Sequence, residues 1–470
     1  MVRTWQLATG AAVVGLTLAA GAVAAAGPWD SGQRKAERTR VAAHSPTGGA
    51  HHAPAPQRPA PAPSAAPVLT ALGGPRTVTA EEPATPVDGL AKRLDSLLAD
   101  PGLGAAPAAC VVDLTTGERL YGKRAETPMV PASTVKIATA AAALTALGPD
   151  HRLPTTVVAA PGADAITLVG GGDATLDRAR LGELAERTAR ALRQREPAKD
   201  GQPAVKIRLR YDASLYRGPL LHPIGPNGNI APVSALMVGQ GRLDERTTGA
   251  ATRSADPAGE AARVFGDLLS ERGVGITPPA PGRAPAEAVP LAQVLSAPLS
   301  SVVERMLTTS DNDIAESLAR QTALATGEQA SFAGGERAVT RQLRRLQLPL
   351  TGTRFADGSG LNRRDKVSAA LLTTLLARAG DAAHPELRPI LTGLPVAGFN
   401  GTLEHRWSDT SAGTGLVRAK TGTLTGINAL AGTVVASGGR LLGFAFLASG
   451  TPSRYEAQPA LDRLAGALVS

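Results

Sequence analysis

Leu90, Leu94, Leu97 and Leu98 recur at helical spacing and predict a helix over residues 89–100. Residues 108–114 form a near-continuous apolar run of strand length. Thr115-Thr116-Gly117 then turns the chain into residues 118–121, which predicts a hairpin. Pro131 precedes an Ala-rich stretch that reads as a helix over 133–147. From 150 to 290 the pattern changes to short apolar runs broken by glycine and proline. Val157-Val158, 166–169 and 205–211 are strand-like, Gly170-Gly171-Gly172-Asp173 is a tight turn, and 181–192 is helical. Residues 291–395 read as mainly helical. Two β runs, 430–435 and 441–447, meet around Gly438-Gly439, and 460–469 closes the chain as a helix. Strands at both ends with helices between them predict an α/β domain whose sheet joins the two ends of the segment.

The first 86 residues follow a different pattern. Arg3 precedes 21 uncharged residues, 7–27, and Ala24-Ala25-Ala26 offers an A-x-A cleavage site. The run is also long enough for a bilayer about 30 Å thick. Residues 1–27 are therefore expected to be a signal peptide or a membrane anchor. Residues 28–86 are rich in Pro, Ala, Gly and His, with ten prolines between Pro46 and Pro86, and should form a disordered linker. His51-His52 there reads as solvated. The expected organisation is export segment, linker, a catalytic domain from 87–149 plus 291–470, and inserted subdomains over 150–290.

Composition sharpens this picture in three ways. Aromatic residues are only 3% of the 470, so the core must rest on Ala, Val, Leu and Ile. Only eight of the 49 basic residues are lysines, and arginine cannot serve as a base at neutral pH, so each lysine counts. The net charge of +9 comes with no nucleic-acid motif and too few aromatics for base stacking, so no nucleic-acid partner is expected. Cys110 is the only cysteine and sits in an apolar run, which excludes an intramolecular disulfide and reads as a small core residue. No metal or other cofactor is expected.

Three short motifs carry chemistry. Ser133-Thr134-Val135-Lys136 opens the Ala-rich helix. Serine and lysine three residues apart share a helical face, so a neutral lysine could take the serine proton. Ser310-Asp311-Asn312 precedes a helical stretch; Asn312 could bind a substrate amide and Ser310 relay a proton. Lys420-Thr421-Gly422-Thr423 precedes the last hairpin; Lys420 and Thr421 could hold a carboxylate, and Gly422 could let a substrate backbone approach. Each alone also reads structurally, as a helix cap with a surface lysine, a helix cap, and an edge-strand lysine. Together and in this order they form the set common to class A β-lactamases and penicillin-binding proteins. No histidine-based arrangement competes: His151, His222, His384 and His405 lie in no nucleophile-like context.

The 174 residues from Lys136 to Ser310 are far more than a class A β-lactamase has there. From about 88 to 470 the chain instead resembles the D-alanyl-D-alanine carboxypeptidase/endopeptidase family, the low-molecular-mass class C, type-4 penicillin-binding proteins. The resemblance rests on the three motifs and on Gly170-Gly171-Gly172-Asp173, Tyr211-Asp212-Ala213-Ser214, Asp357-Gly358-Ser359-Gly360-Leu361, Leu394-Pro395-Val396-Ala397-Gly398 and Arg418 to Leu424. Asn400 stands where the family pattern has Asp. The resemblance implies a penicillin-binding transpeptidase/β-lactamase-like α/β domain, an antiparallel sheet flanked by helices plus a helical subdomain, with inserted β-rich subdomains. It implies hydrolysis of D-Ala-D-Ala bonds or D-amino-acid cross-links in peptidoglycan peptides, acylation by β-lactam inhibitors, and an extracytoplasmic location. Carried over, Ser133 forms the acyl-enzyme, Lys136 is the base, and Ser310 shuttles a proton. Asn312, Lys420 and Thr421 bind substrate, and the backbone N–H groups of Ser133 and Thr423 form the oxyanion hole. Lys420 is expected to lower the pKa of Lys136 by like charge. The alternatives are a β-lactamase-like hydrolase and a catalytically silent protein that binds wall peptide.

Overall fold

The computed structural model describes residues 87–195, 206–407 and 412–469. The expected export segment and linker lie outside them. Among the described residues no helix is long and apolar enough to cross a membrane.

The chain enters as helix α1 (Val87–Leu98), then strands β1 (Ala108–Asp113) and β2 (Arg119–Lys123), which pair antiparallel. Asp113 fixes the turn by accepting the N–H groups of Thr115 and Thr116. A short 3-10 turn, Ala132–Val135, leads into α2 (Lys136–Leu147). The Ala-rich helix thus begins at Lys136, and Ser133 sits on the tighter turn before it. Next come β3 (Pro154–Ala159), β4 (Ala165–Gly170), α3 (Arg178–Arg195), β5 (Arg208–Asp212), α4 (Pro257–Ser270), β6 (Ala280–Pro281) and β7 (Val289–Leu295). Then α5 (Leu299–Thr309), α6 (Asn312–Ala325), α7 (Phe332–Arg345), α8 (Ala369–Gly380) and the single turn α9 (Pro389–Thr392) follow. β8 (Val417–Leu424), β9 (Ile427–Val435), β10 (Leu441–Ser449) and α10 (Arg454–Gly466) complete the fold.

The central sheet has the order β2-β1-β10-β9-β8 and is antiparallel throughout. β1 lies against β10, with Cys110 opposite Ala445, so the two ends of the segment do meet in one sheet. Both faces are covered. Ala108, Cys110, Ala431 and Ala445 pack on α2, α5, α6 and α8, whereas Ala109, Val111, Leu430, Phe444 and Phe446 pack on α1 and α10. A strand buried on both faces has no polar side, which explains why the β1 and β10 sequences run apolar instead of alternating. Helix α2 is likewise buried from Lys136 to Leu144, so an all-round apolar sequence there marks the centre of the core. Alanine suits it, because facing backbones must approach closely. Cys110 is fully buried, as expected of a small core residue.

The second sheet, β6-β5-β4-β3-β7, is mixed: β3 pairs antiparallel with β4 and β7, and β4-β5-β6 run parallel. Burial alternates along β3, because α3 and α4 cover one face only. Two elements differ from the expectation. β7 falls at the start of the stretch expected to be helical, and its pairing partner β3 is more than 130 residues away. α4 lies among residues expected to form strands and turns. Its signals are local: Asp256 accepts the N–H of Gly259 as N-cap, and Pro257 stands at the first helical position.

Candidate active site

Three chain segments meet at one cleft. Ser133 rides on the 3-10 turn packed against β8. Its neighbour Ala132 has φ +47, a left-handed conformation rare for a residue with a side chain. Two glycines admit that turn. A Cβ on Gly422 would stand 2.6 Å from the carbonyl oxygen of Pro131, and one on Gly360 would stand 2.0 Å from that of Ala132. Gly422 is thus required by the nucleophile turn, a role that the sequence did not suggest. Ser310 ends α5 with φ +59, and Asp311 caps α6 by accepting the N–H of Ile314 at 3.0 Å. Asp311 thus realises the capping reading, while Asn312 and Ser310 on either side of it meet Lys136 and Lys420. Thr421 to Thr423 lie on β8, the edge strand.

Lys136 is fully buried, and its Nζ has three polar neighbours. They are Ser133 Oγ at 3.0 Å, Asn312 Oδ1 at 2.7 Å and the Ser359 carbonyl oxygen at 2.6 Å. A neutral amine has two N–H groups and one lone pair. Donating to Asn312 and Ser359 leaves the lone pair for the Ser133 hydroxyl. Burial pushes the Lys136 pKa down to about 8, against the pull of Asp357, Glu316, Asp311 and Asp365. Lys420, also fully buried, donates to Ser310 Oγ at 2.9 Å and to the Thr421 carbonyl at 2.9 Å. Its pKa is lowered well below the usual lysine value by burial first and by the charge of Lys136 second. Burial is the largest cause of the depression of Lys136, and the like charges of the two lysines disfavour having both protonated together.

Ser133, Ser310, Asn312 and Thr423 line a cleft of about 810 Å³ together with Asn229, Pro223, Ile224, Leu361, Arg363, Asn428 and Arg454. All the residues singled out in the three motifs are thus gathered within one neighbourhood. Thr421 hydrogen-bonds the hydroxyl of Thr402 at 3.0 Å. Asn400 accepts the N–H of Val396 through Oδ1 at 2.7 Å, as an Asp could, so the departure from the family pattern keeps its acceptor.

Several contacts that shape the site have no signal in the sequence. Asn312 Nδ2 donates to the Asn229 carbonyl at 2.9 Å, Asp313 accepts the N–H of Ala231 at 2.9 Å, and Gln240 donates to Asp311 at 2.5 Å. Ser359 stands out in the sequence only as part of a family-like stretch, with no role attached. Such partners lie 71 to 223 residues from what they hold, and no local pattern marks them. His222, Glu316 and Asp357 come together in the core in a way that could suggest a metal. Their ligand atoms are already engaged: His222 Nε2 with Asp357, and Glu316 Oε1 with the N–H groups of Gly358 and Ser359. The group does not fit an ion.

The D-Ala-D-Ala carboxypeptidase 3 (S13) family matches residues 90–252 and 243–468 of the chain. Carboxypeptidase DacB of Mycolicibacterium smegmatis is 36% identical over 432 residues, covering 87% of this chain and 90% of that protein. The D-alanyl-D-alanine carboxypeptidase of Actinomadura sp. is 30% identical over 439 residues, covering 75% and 79%. Among solved structures, penicillin binding protein 4 of Haemophilus influenzae aligns with a TM-score of 0.66 at 20% identity, covering 79% of this chain and 97% of that one. That likeness bears on the fold.

Proposed function

Because the chain belongs to the D-Ala-D-Ala carboxypeptidase (S13) family, we propose that it hydrolyses the terminal D-Ala-D-Ala bond, or a D-amino-acid cross-link, of peptidoglycan peptides through an acyl-enzyme on Ser133. The observation that carries the mechanism is the buried Lys136 amine 3.0 Å from Ser133 Oγ. Neutral Lys136 takes the hydroxyl proton as Oγ attacks the carbonyl carbon. The N–H groups of Ser133 and Thr423 stabilise the resulting oxyanion, a contribution of about 3–4 kcal/mol for one such donor. Ser310 passes the proton to the departing D-Ala amine, and water then cleaves the ester. Asn312 holds a substrate amide. Lys420 and Thr421 hold the terminal carboxylate, whose approach favours the charged form of Lys420.

The same serine is expected to accept β-lactams, whose ring amide opens to an ester on Ser133. The substrate lies outside the cytoplasm, which agrees with reading residues 1–27 as a signal peptide or anchor and 28–86 as a linker. We further propose that residues 150–290 form the inserted part, carried on a catalytic domain from 87–149 and 291–470.

The test is to incubate the protein with fluorescent penicillin and, separately, with a pentapeptide ending in D-Ala-D-Ala. A long-lived adduct and release of D-Ala are expected, and Ser133→Ala should abolish both. Fast penicillin turnover would point instead to a β-lactamase-like hydrolase, and neither adduct nor release to a silent wall-peptide binder.

A further inference from the structure

We infer that His222 is a positioning residue of this reaction, joining the wall of the substrate cleft to the carbonyl that orients Lys136. The inference rests on the acyl-enzyme reading above. It begins from an imidazole with only 3% of its surface exposed and both ring nitrogens engaged. Nδ1 accepts the N–H of Ile224 at 3.1 Å, which fixes the neutral tautomer and leaves Nε2–H to donate to Asp357 at 2.8 Å.

Each contact leads to a different part of the site. On one side, the bond to Ile224 and that from Gly225 N–H to the His222 carbonyl hold a tight turn. Pro223 and Ile224 of that turn line the cleft. On the other side, Asp357 organises the loop that carries Ser359. It accepts the N–H groups of Gly360 at 2.6 Å and Asn362 at 2.7 Å, and the hydroxyl of Ser359 at 3.3 Å. The Ser359 carbonyl is the acceptor 2.6 Å from Lys136 Nζ.

The charged groups around His222 come from two elements. Glu316 Oε1 on α6 lies 3.9 Å away, but it is occupied by the N–H groups of Gly358 and Ser359 and by the pull of Arg320. Asp357 and its neighbour Asp365 lie on the loop. The edge-on ring of Phe332 closes the remaining side. His222 therefore acts as a neutral, directional link, with one donor and one acceptor aimed at two walls of one cleft.

Two conservative substitutions separate the halves. The amide nitrogen of Gln reaches the position of Nε2, whereas the amide oxygen of Asn reaches that of Nδ1. His222→Asn keeps the turn but loses Asp357. His222→Gln keeps Asp357 but loses the turn. Stopped-flow acylation by fluorescent penicillin yields a binding constant and an acylation rate constant, and melting temperature reports folding. For His222→Asn the acylation rate constant should fall on the order of 10- to 100-fold with binding near wild type. For His222→Gln binding should weaken while the rate constant stays within about threefold. Wild-type kinetics in the Asn variant, or the same loss in both variants in proportion to their melting temperatures, overturns the proposal and leaves His222 a core residue. If the wild-type protein itself forms no adduct on Ser133, the acyl-enzyme reading fails and the proposal falls with it.

Discussion

The ammonium group of Lys136 is shielded from water, and nearby acidic groups, Asp357 first, partly offset that burial. The balance leaves its pKa at about 8, so a minority of molecules hold the neutral base at pH 7. The acylation rate constant is therefore expected to rise with pH along a limb centred near 8, measurable with a β-lactam that does not titrate in that range. Asp365 stands at the opposite extreme. Burial, and then the charge of Asp357 hydrogen-bonded to it, push its pKa up to about 10, so it carries its proton at neutral pH. Its Oδ1 accepts the N–H of Ala356 at 2.6 Å. An acid held neutral in the folded state but ionised in the unfolded state costs stability as pH rises from about 4 to 10. Asp365→Asn supplies the same donor and acceptor without a proton to lose. Relative to wild type, it should gain stability steadily across that range in denaturant titrations, with little difference at pH 4.

At the scale of elements, the nucleophile depends on how closely a turn can approach a strand. Pro131 and Ala132 press on β8 at Gly422, where a methyl group would stand 2.6 Å from a backbone oxygen and 3.3 Å from the Ala132 side chain. Gly422→Ala should leave the strand intact but displace the turn. Acylation should drop on the order of 100-fold while the melting temperature falls only a few degrees. The sequence marks all three motifs because each is contiguous and local. It cannot assign Gly422 its neighbour, since Pro131 is almost 300 residues earlier in the chain. For the same reason β7 is hidden in the sequence: its strand character comes from pairing with β3, whereas its own seven residues are ambiguous. Helix α4 is different, because its cap and its apolar face are both legible locally.

For the molecule as a whole, the segment between the two halves of the central core must be held against the cleft. Arg253 forms an ion pair with Asp313 at 2.9 Å, with both side chains almost fully buried. It also donates to the Gln240 carbonyl at 2.7 Å, so it ties this segment to the start of α6, one residue beyond Asn312. Removing one partner of a buried pair costs about 3–5 kcal/mol. Burial, then the charge of Asp311, already raise the pKa of Asp313 to about 7, and losing Arg253 would raise it further. The stranded acid would then be neutral at low pH. Arg253→Ala should accordingly be more destabilising at pH 8 than at pH 5 in urea titrations. The sequence by itself determined the α/β class, the sheet joining the two ends of the segment, and the identity of the three motifs, because apolar periodicity and contiguous motifs are local properties. Only the tertiary structure decided that Ser359 and Asn312 orient Lys136, that burial is the largest cause lowering its pKa, and that Pro223, Ile224 and Asn229 wall the cleft. Those outcomes depend on which groups are excluded from water and which distant backbone atoms come within hydrogen-bond reach, and neither is written in any local stretch of residues.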